Sequence, residues 1–226
     1  MKALIIGINS DFGREISKKL YSLDYELILV SKSKKKLEQL NEELKNAEII
    51  QVDVASIYNC KKLFNKVKDE NIDIVINCEE MEINEPFNET KIDKELDLID
   101  LNIKSTHTLT KLFLEDFDIK NKGSILNICS TSAFSSNPLK CTYSASKSYI
   151  LSLTNSIHEE LKVKKSNVYI GCYCTSNDPI ENQVEYAING LQKRKTIIIP
   201  KGKRFNIISS KIAPRKTILK KNYKQV

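Results

Sequence analysis

Tyr143 and Lys147 stand four residues apart, so on a helix their side chains share one face. Ser130 lies thirteen residues before the tyrosine, at the end of an apolar run. A free tyrosine has a pKa of about 10, and a neighbouring ammonium favours its phenolate. The trio therefore suits one task, which is to hold a hydroxyl beside a carbonyl or alcohol and pass a proton between them. The spacing alone does not establish that task. Many amphipathic helices carry Tyr and Lys at the same interval, with the Tyr half-buried and the Lys solvated.

The elements that must position these residues read as an alternation of short apolar runs and longer helical stretches. Strands are predicted at 2–6, 26–30, 48–52, 73–77, 124–129, 167–172 and 196–199, the last closed by Pro200. Helices are predicted at 13–23, 34–46, 56–70, 92–117, 141–164 and from Pro179 to 192, with Ser56 as a cap for the third. Strands of about five residues separated by helices are the pattern of βαβ units and a parallel sheet. The stretch 92–117 reads as one unbroken helix.

Composition narrows the class. The 226 residues suffice for one domain with a substantial core and are short for two. No apolar run reaches the length of a membrane span, and the run at 3–7 is too short for a signal peptide. Six scattered cysteines with two histidines, His107 and His158, predict reduced thiols and no metal site. Cys172 and Cys174 fall on one face of a strand, as core residues. The expected location is cytoplasmic.

The net charge of +7 conceals an asymmetry. Residues 186–226 hold twelve of the 36 Lys and Arg and none of the 29 Asp and Glu, so the rest of the chain is acidic on balance. That basic segment interleaves Lys with Ile, Leu and Phe. It could contact an anionic membrane peripherally, or form a solvated face over a packed C-terminal segment, and nucleic acid is the less favoured partner.

Between the first strand and first helix lies Gly7, Ile8, Asn9, Ser10, Asp11, Phe12, Gly13. A turn here would aim backbone N–H groups and a helix N-terminus at a pyrophosphate, or would simply be a tight turn with Asp11 as N-cap. Ser31 and Lys32 close the second strand with a hydroxyl and a cation, which suit a 2′-phosphate better than two ribose hydroxyls. This favours NADP, with NAD as the alternative.

Taken together, Gly7 with Gly13, Asp53 after the third strand, Asn77 closing the fourth, Asn102, Ser130, Tyr143 and Lys147 resemble, in order and spacing, the short-chain dehydrogenase/reductase family. The likeness covers residues 1 to about 165, and the basic tail resembles that of short bacterial members. It implies an α/β fold, a single-domain doubly wound (Rossmann) parallel sheet of about seven strands with helices on both faces. Residues 1–200 would form the dinucleotide-binding catalytic domain and 201–226 a basic segment packed on or extending from it. The implied activity is hydride transfer between NADP(H) and a small carbonyl or alcohol.

The resemblance also implies roles. Tyr143 would be the acid in reduction and the base in oxidation, and Lys147 would lower its pKa and bind the nicotinamide ribose. Ser130 would hold the substrate oxygen, and Asn102 a water linking Lys147 to solvent. Gly7, Asn9, Ser10, Phe12 and Gly13 would line the cofactor with Ser31 and Lys32. Asp53, with Val54 beside it, would meet the adenine, and Asn77 would touch the ribose side. The helices at 102–117 and 147–162 would pair subunits into a homodimer or tetramer.

The chain departs from the family pattern at three places. Asp11 replaces a glycine of the first turn, Glu79 and Glu80 replace small residues after Asn77, and Tyr173 with Cys174 replaces Pro-Gly after the sixth strand. Like charges beside a phosphate are unfavourable. The alternative function is accordingly a non-catalytic cofactor-binding sensor or scaffold of the same fold.

Overall fold

The computed structural model describes residues 1–200 and Gly202. Residue 201 and residues 203–226, and with them most of the stretch expected at a membrane, lie outside the described residues. Seven strands form one parallel sheet: β1 (Lys2–Ile6), β2 (Glu26–Ser31), β3 (Glu48–Gln51), β4 (Ile74–Asn77), β5 (Ser124–Ser130), β6 (Tyr169–Thr175) and β7 (Ile197–Ile198). Their order is β3-β2-β1-β4-β5-β6-β7, with every pairing parallel. The chain winds outward from β1 to β3, then returns and winds the other way from β4. That reversal opens a crevice between β1 and β4 at the carboxyl ends of the strands.

The strands are apolar on both faces because both faces are covered. Alternate residues of each strand sort into two cores. Ala3, Ile5, Leu27, Leu29 and Ile76 pack beneath α1 (Asp11–Tyr21), α2 (Lys34–Leu44) and α7 (Ile180–Gln192). Leu4, Ile6, Ile28, Val30 and Val75 pack beneath α3 (Ile57–Val67), α5 (Thr106–Lys120) and α6 (Cys141–Val163). Among the described residues no helix is long and apolar enough to cross a membrane.

Two local readings of the sequence are corrected. The N-cap of α1 is Ser10 and not Asp11: the Ser10 hydroxyl accepts from Gly13 N at 3.0 Å, and Asp11 becomes the first helical residue, where its charge suits the helix dipole. The stretch read as one helix from 92 to 117 is α4 (Ile92–Ile99), a π-helical segment Asp100–Ser105, and α5. Ser56 does sit at the N-cap of α3, although its side chain makes no capping hydrogen bond.

Candidate active site

The first turn is built on two glycines for two reasons. Gly7 has φ of +100°, and a Cβ there would collide with the Glu79 backbone; at Gly13 a Cβ would strike the Gly7 carbonyl. The turn is thus closed tightly, with the N-terminus of α1 at the crevice. Ser31 at the end of β2 donates to Asn9 Oδ1 at 2.8 Å. Lys36, in the first turn of α2, donates to the Asn9 carbonyl at 2.9 Å. Lys32 is exposed beside them, Asp53 is exposed after β3 with its carboxylate accepting from Ala55 N, and Val54 is buried. Lys36 was not foreseen, although its place three residues after the Ser33 cap puts it on the turn of α2 nearest β2.

Ser130 ends β5 and caps the short 3-10 turn Thr131–Phe134, its Oγ accepting from Ser132 N. Tyr143 and Lys147 face inward from α6, 4% and 2% exposed, with the Lys147 ammonium 5.5 Å from the tyrosine ring centroid. The structure therefore brings the expected trio together. It adds a fourth member: Glu80 Oε2 lies 2.6 Å from Lys147 Nζ and accepts from the Tyr143 hydroxyl at 3.3 Å. Lys147 also donates to the Ile128 carbonyl at 3.2 Å.

This neighbourhood alters the expected tuning. Burial raises the Tyr143 hydroxyl above its ordinary pKa and Glu80 adds to the rise, against the lowering by Lys147 and by a hydrogen bond from Ser130. For Lys147, burial is the largest single influence and would lower the ammonium's pKa, but Glu80, with Tyr143 and Cys129 adding to it, turns the net shift upward. Lys147 is firmly charged, and Tyr143 is held in its neutral form.

Asn102, in the π-helical segment, grips the loop that follows β4 from both sides: Met81 N donates to its Oδ1 at 2.8 Å, and its Nδ2 donates to the Met81 carbonyl at 2.8 Å. The same amide donates to Ser146 Oγ, which donates to the Tyr143 carbonyl. A π turn shifts the register of the helix and aims this one residue at the loop, as such turns do at many sites. Asn77 has its amide nitrogen committed to an interior network with Thr110 and Asn127.

Glu79 and Tyr173 shape the rest of the crevice. Glu79 lies against Gly7 and accepts from Asn9 Nδ2 at 3.5 Å; its pKa is raised, chiefly by burial, with Asn9, Lys32 and Lys36 opposing. Tyr173 is wholly buried and stacks on Phe12 at 5.3 Å between ring centroids. Among the described residues its buried hydroxyl has no hydrogen-bond partner. Cys129, Cys172 and Cys174 form a small buried cluster behind Ser130, as core.

Fold and site together define a doubly wound α/β protein with a Ser, Tyr and Lys trio beside the crevice where its sheet reverses. The family profile described as short chain dehydrogenase matches residues 1–181, and the chain belongs to that family. It is 29% identical over 164 residues to the 3-oxoacyl-[acyl-carrier-protein] reductase of Rickettsia typhi, covering 72% of this chain and 67% of that one. Among solved structures, a short-chain dehydrogenase from Sphingobium yanoikuyae in complex with NADPH superposes with a TM-score of 0.83 at 20% identity, covering 93% of each chain. A short chain dehydrogenase/reductase from Burkholderia phymatum in complex with NAD gives 0.85 at 17% identity, covering 96% of this chain and 93% of that one.

The crevice fits a nicotinamide dinucleotide unequally. At the adenosine end, the helix N-terminus, Ser31 and the cations Lys32 and Lys36 suit a phosphorylated ligand. At the other end the residues of the trio are in place, but Glu80 engages two of them.

Proposed function

We propose that this chain is an oxidoreductase that uses NADP(H) on a small carbonyl or alcohol. The observation that supports it most is the convergence of Ser130, Tyr143 and Lys147 on the crevice beside the glycine turn. The cofactor, when bound, supplies or takes up the hydride. The protein handles the proton. In reduction the neutral Tyr143 hydroxyl donates it to the substrate oxygen, and Ser130 donates a hydrogen bond to that oxygen as charge develops on it. Lys147 lowers the cost of the tyrosinate that remains, provided Glu80 has moved aside. Asn102 acts as a positioning residue through Met81 and Ser146.

Lys32 and Lys36 favour a 2′-phosphate, and therefore NADP over NAD. Titration of the intact chain with NADPH and with NADH, read by nucleotide fluorescence, tests this. Tighter binding of NADPH is expected, and no binding of either at millimolar concentration would remove the reading. A non-catalytic nucleotide-binding protein is the second reading, favoured by the Glu80–Lys147 ion pair; NADPH binding without turnover of any small ketone or aldehyde would select it. We also propose self-association through α5 and α6, where His107 and the exposed Tyr149 hydrogen-bond at 2.8 Å. Light scattering that gave a monomer at all concentrations would exclude it.

A further inference from the structure

We propose that Glu80 is a resident occupant of the Tyr143–Lys147 site, a side chain that the nicotinamide half of a dinucleotide must displace. The inference rests on the function proposed above. A single carboxylate oxygen, Glu80 Oε2, takes hydrogen bonds from both residues that the reading assigns to ribose and substrate. The 2.6 Å contact to the ammonium is charge-assisted and the shorter of the two, so Glu80 is held chiefly by Lys147. It is therefore a counterion before it is a proton acceptor for Tyr143.

The contact is a latch made by a side chain and not by a loop. On one side of Glu79 and Glu80 the backbone is fixed by Cys78 N donating to the Ile6 carbonyl at 2.7 Å. On the other it is fixed by the paired bonds between Met81 and Asn102. Between these anchors the Glu80 side chain is 29% exposed while that of Lys147 is 3% exposed. The carboxylate has a route to water and the ammonium has none, so release consists of Glu80 rotating outward. A ligand that binds only the released state shows its intrinsic affinity multiplied by the released fraction, so a latch closed about nine-tenths of the time weakens apparent binding about tenfold.

The test separates the two halves of the ligand. Wild type, Glu80→Ala and Glu80→Gln are titrated with NADPH and with adenosine 2′,5′-bisphosphate, which carries the adenosine and 2′-phosphate but no nicotinamide half. The expected result is that Glu80→Ala binds NADPH about tenfold tighter or more, while its affinity for the bisphosphate stays within about twofold of wild type. Glu80→Gln keeps the shape and removes the charge, and is expected to tighten NADPH in the same direction; it decides the matter if Glu80→Ala fails to fold by circular dichroism. Unchanged or weaker NADPH binding in the folded variants, with the bisphosphate unaffected, overturns the latch and leaves the proposed function standing. An equal tightening of both ligands also overturns it, since the effect would then be general to the crevice. Failure of all three proteins to bind either ligand overturns the proposed function, and the latch with it.

Discussion

Glu80 and Lys147 form an unequal pair, and the inequality has a measurable consequence for stability. In Glu80→Ala the ammonium of Lys147 stays buried with the Ile128 carbonyl as an acceptor but without its counterion. Leaving one partner of a buried pair uncompensated costs about 3–5 kcal/mol, which for a chain of this size lowers Tm by roughly 6–20 °C. In Lys147→Met the orphan is the carboxylate, which reaches water, so the loss is confined to the Ile128 carbonyl and costs about 1–3 kcal/mol. Glu80→Ala should therefore be the less stable of the two.

The pH dependence supplies a second signature. In the wild type, Lys147 has a raised pKa, so its contribution to stability is complete below the unfolded value of about 10.4 and is lost as pH rises above it. In Glu80→Ala burial is left without the opposing carboxylate, the ammonium's pKa falls below the unfolded value, and its penalty is relieved as pH rises toward that value. The gap in Tm between wild type and Glu80→Ala should narrow between pH 7 and pH 10, measured by calorimetry. A Lys147→Met variant less stable than Glu80→Ala, or a gap that stays constant or widens with pH, would refute the ion pair as described.

Other outcomes follow from the same structure. Asn127 is wholly buried, accepts from Asn77 and Thr110 and donates to Thr154, so Asn127→Ala should cost about 3–5 kcal/mol in chemical denaturation; a loss below about 1 kcal/mol would mean the network is dispensable. Because Glu79 has a raised pKa in the fold, its ionisation opposes folding above its unfolded value of about 4.3 and has no effect below it. Glu79→Gln should thus stabilise the chain at neutral pH, with the advantage vanishing near pH 4; equal stability at both pH values would contradict this. Replacing Lys32 and Lys36 together by Ala should weaken NADPH and leave NADH nearly unchanged, and parallel losses for both nucleotides would remove the 2′-phosphate assignment.

The sheet was legible because each strand is a short apolar run bounded by polar residues, and both faces being covered makes such runs nearly continuous. The π-helical segment was not, since Leu101, Asn102 and Ile103 have ordinary helical character and only the contact of Asn102 with Met81 reveals the shifted register. The Ser10 cap was misread because Asp11 is also a good cap residue; Ser10 is the one three positions before Gly13 N. Ser130, Tyr143 and Lys147 were visible as residues, while the tyrosine's raised pKa was not, because it depends chiefly on burial in the folded site, with a carboxylate 63 residues away in sequence adding to the rise. Glu79, Glu80 and Tyr173 stood out as departures from the family pattern. Their partners, Asn9, Lys147 and Phe12, are products of tertiary packing.

The central claim is that Tyr143 moves the proton in a nicotinamide-dependent reaction. It is tested most directly by comparing wild type with Tyr143→Phe, measuring NADPH binding and the consumption of NADPH with a panel of small ketones and aldehydes. The account predicts equal NADPH affinity and a turnover reduced by about 10²–10⁴-fold in the variant. Equal turnover in the two proteins would contradict it.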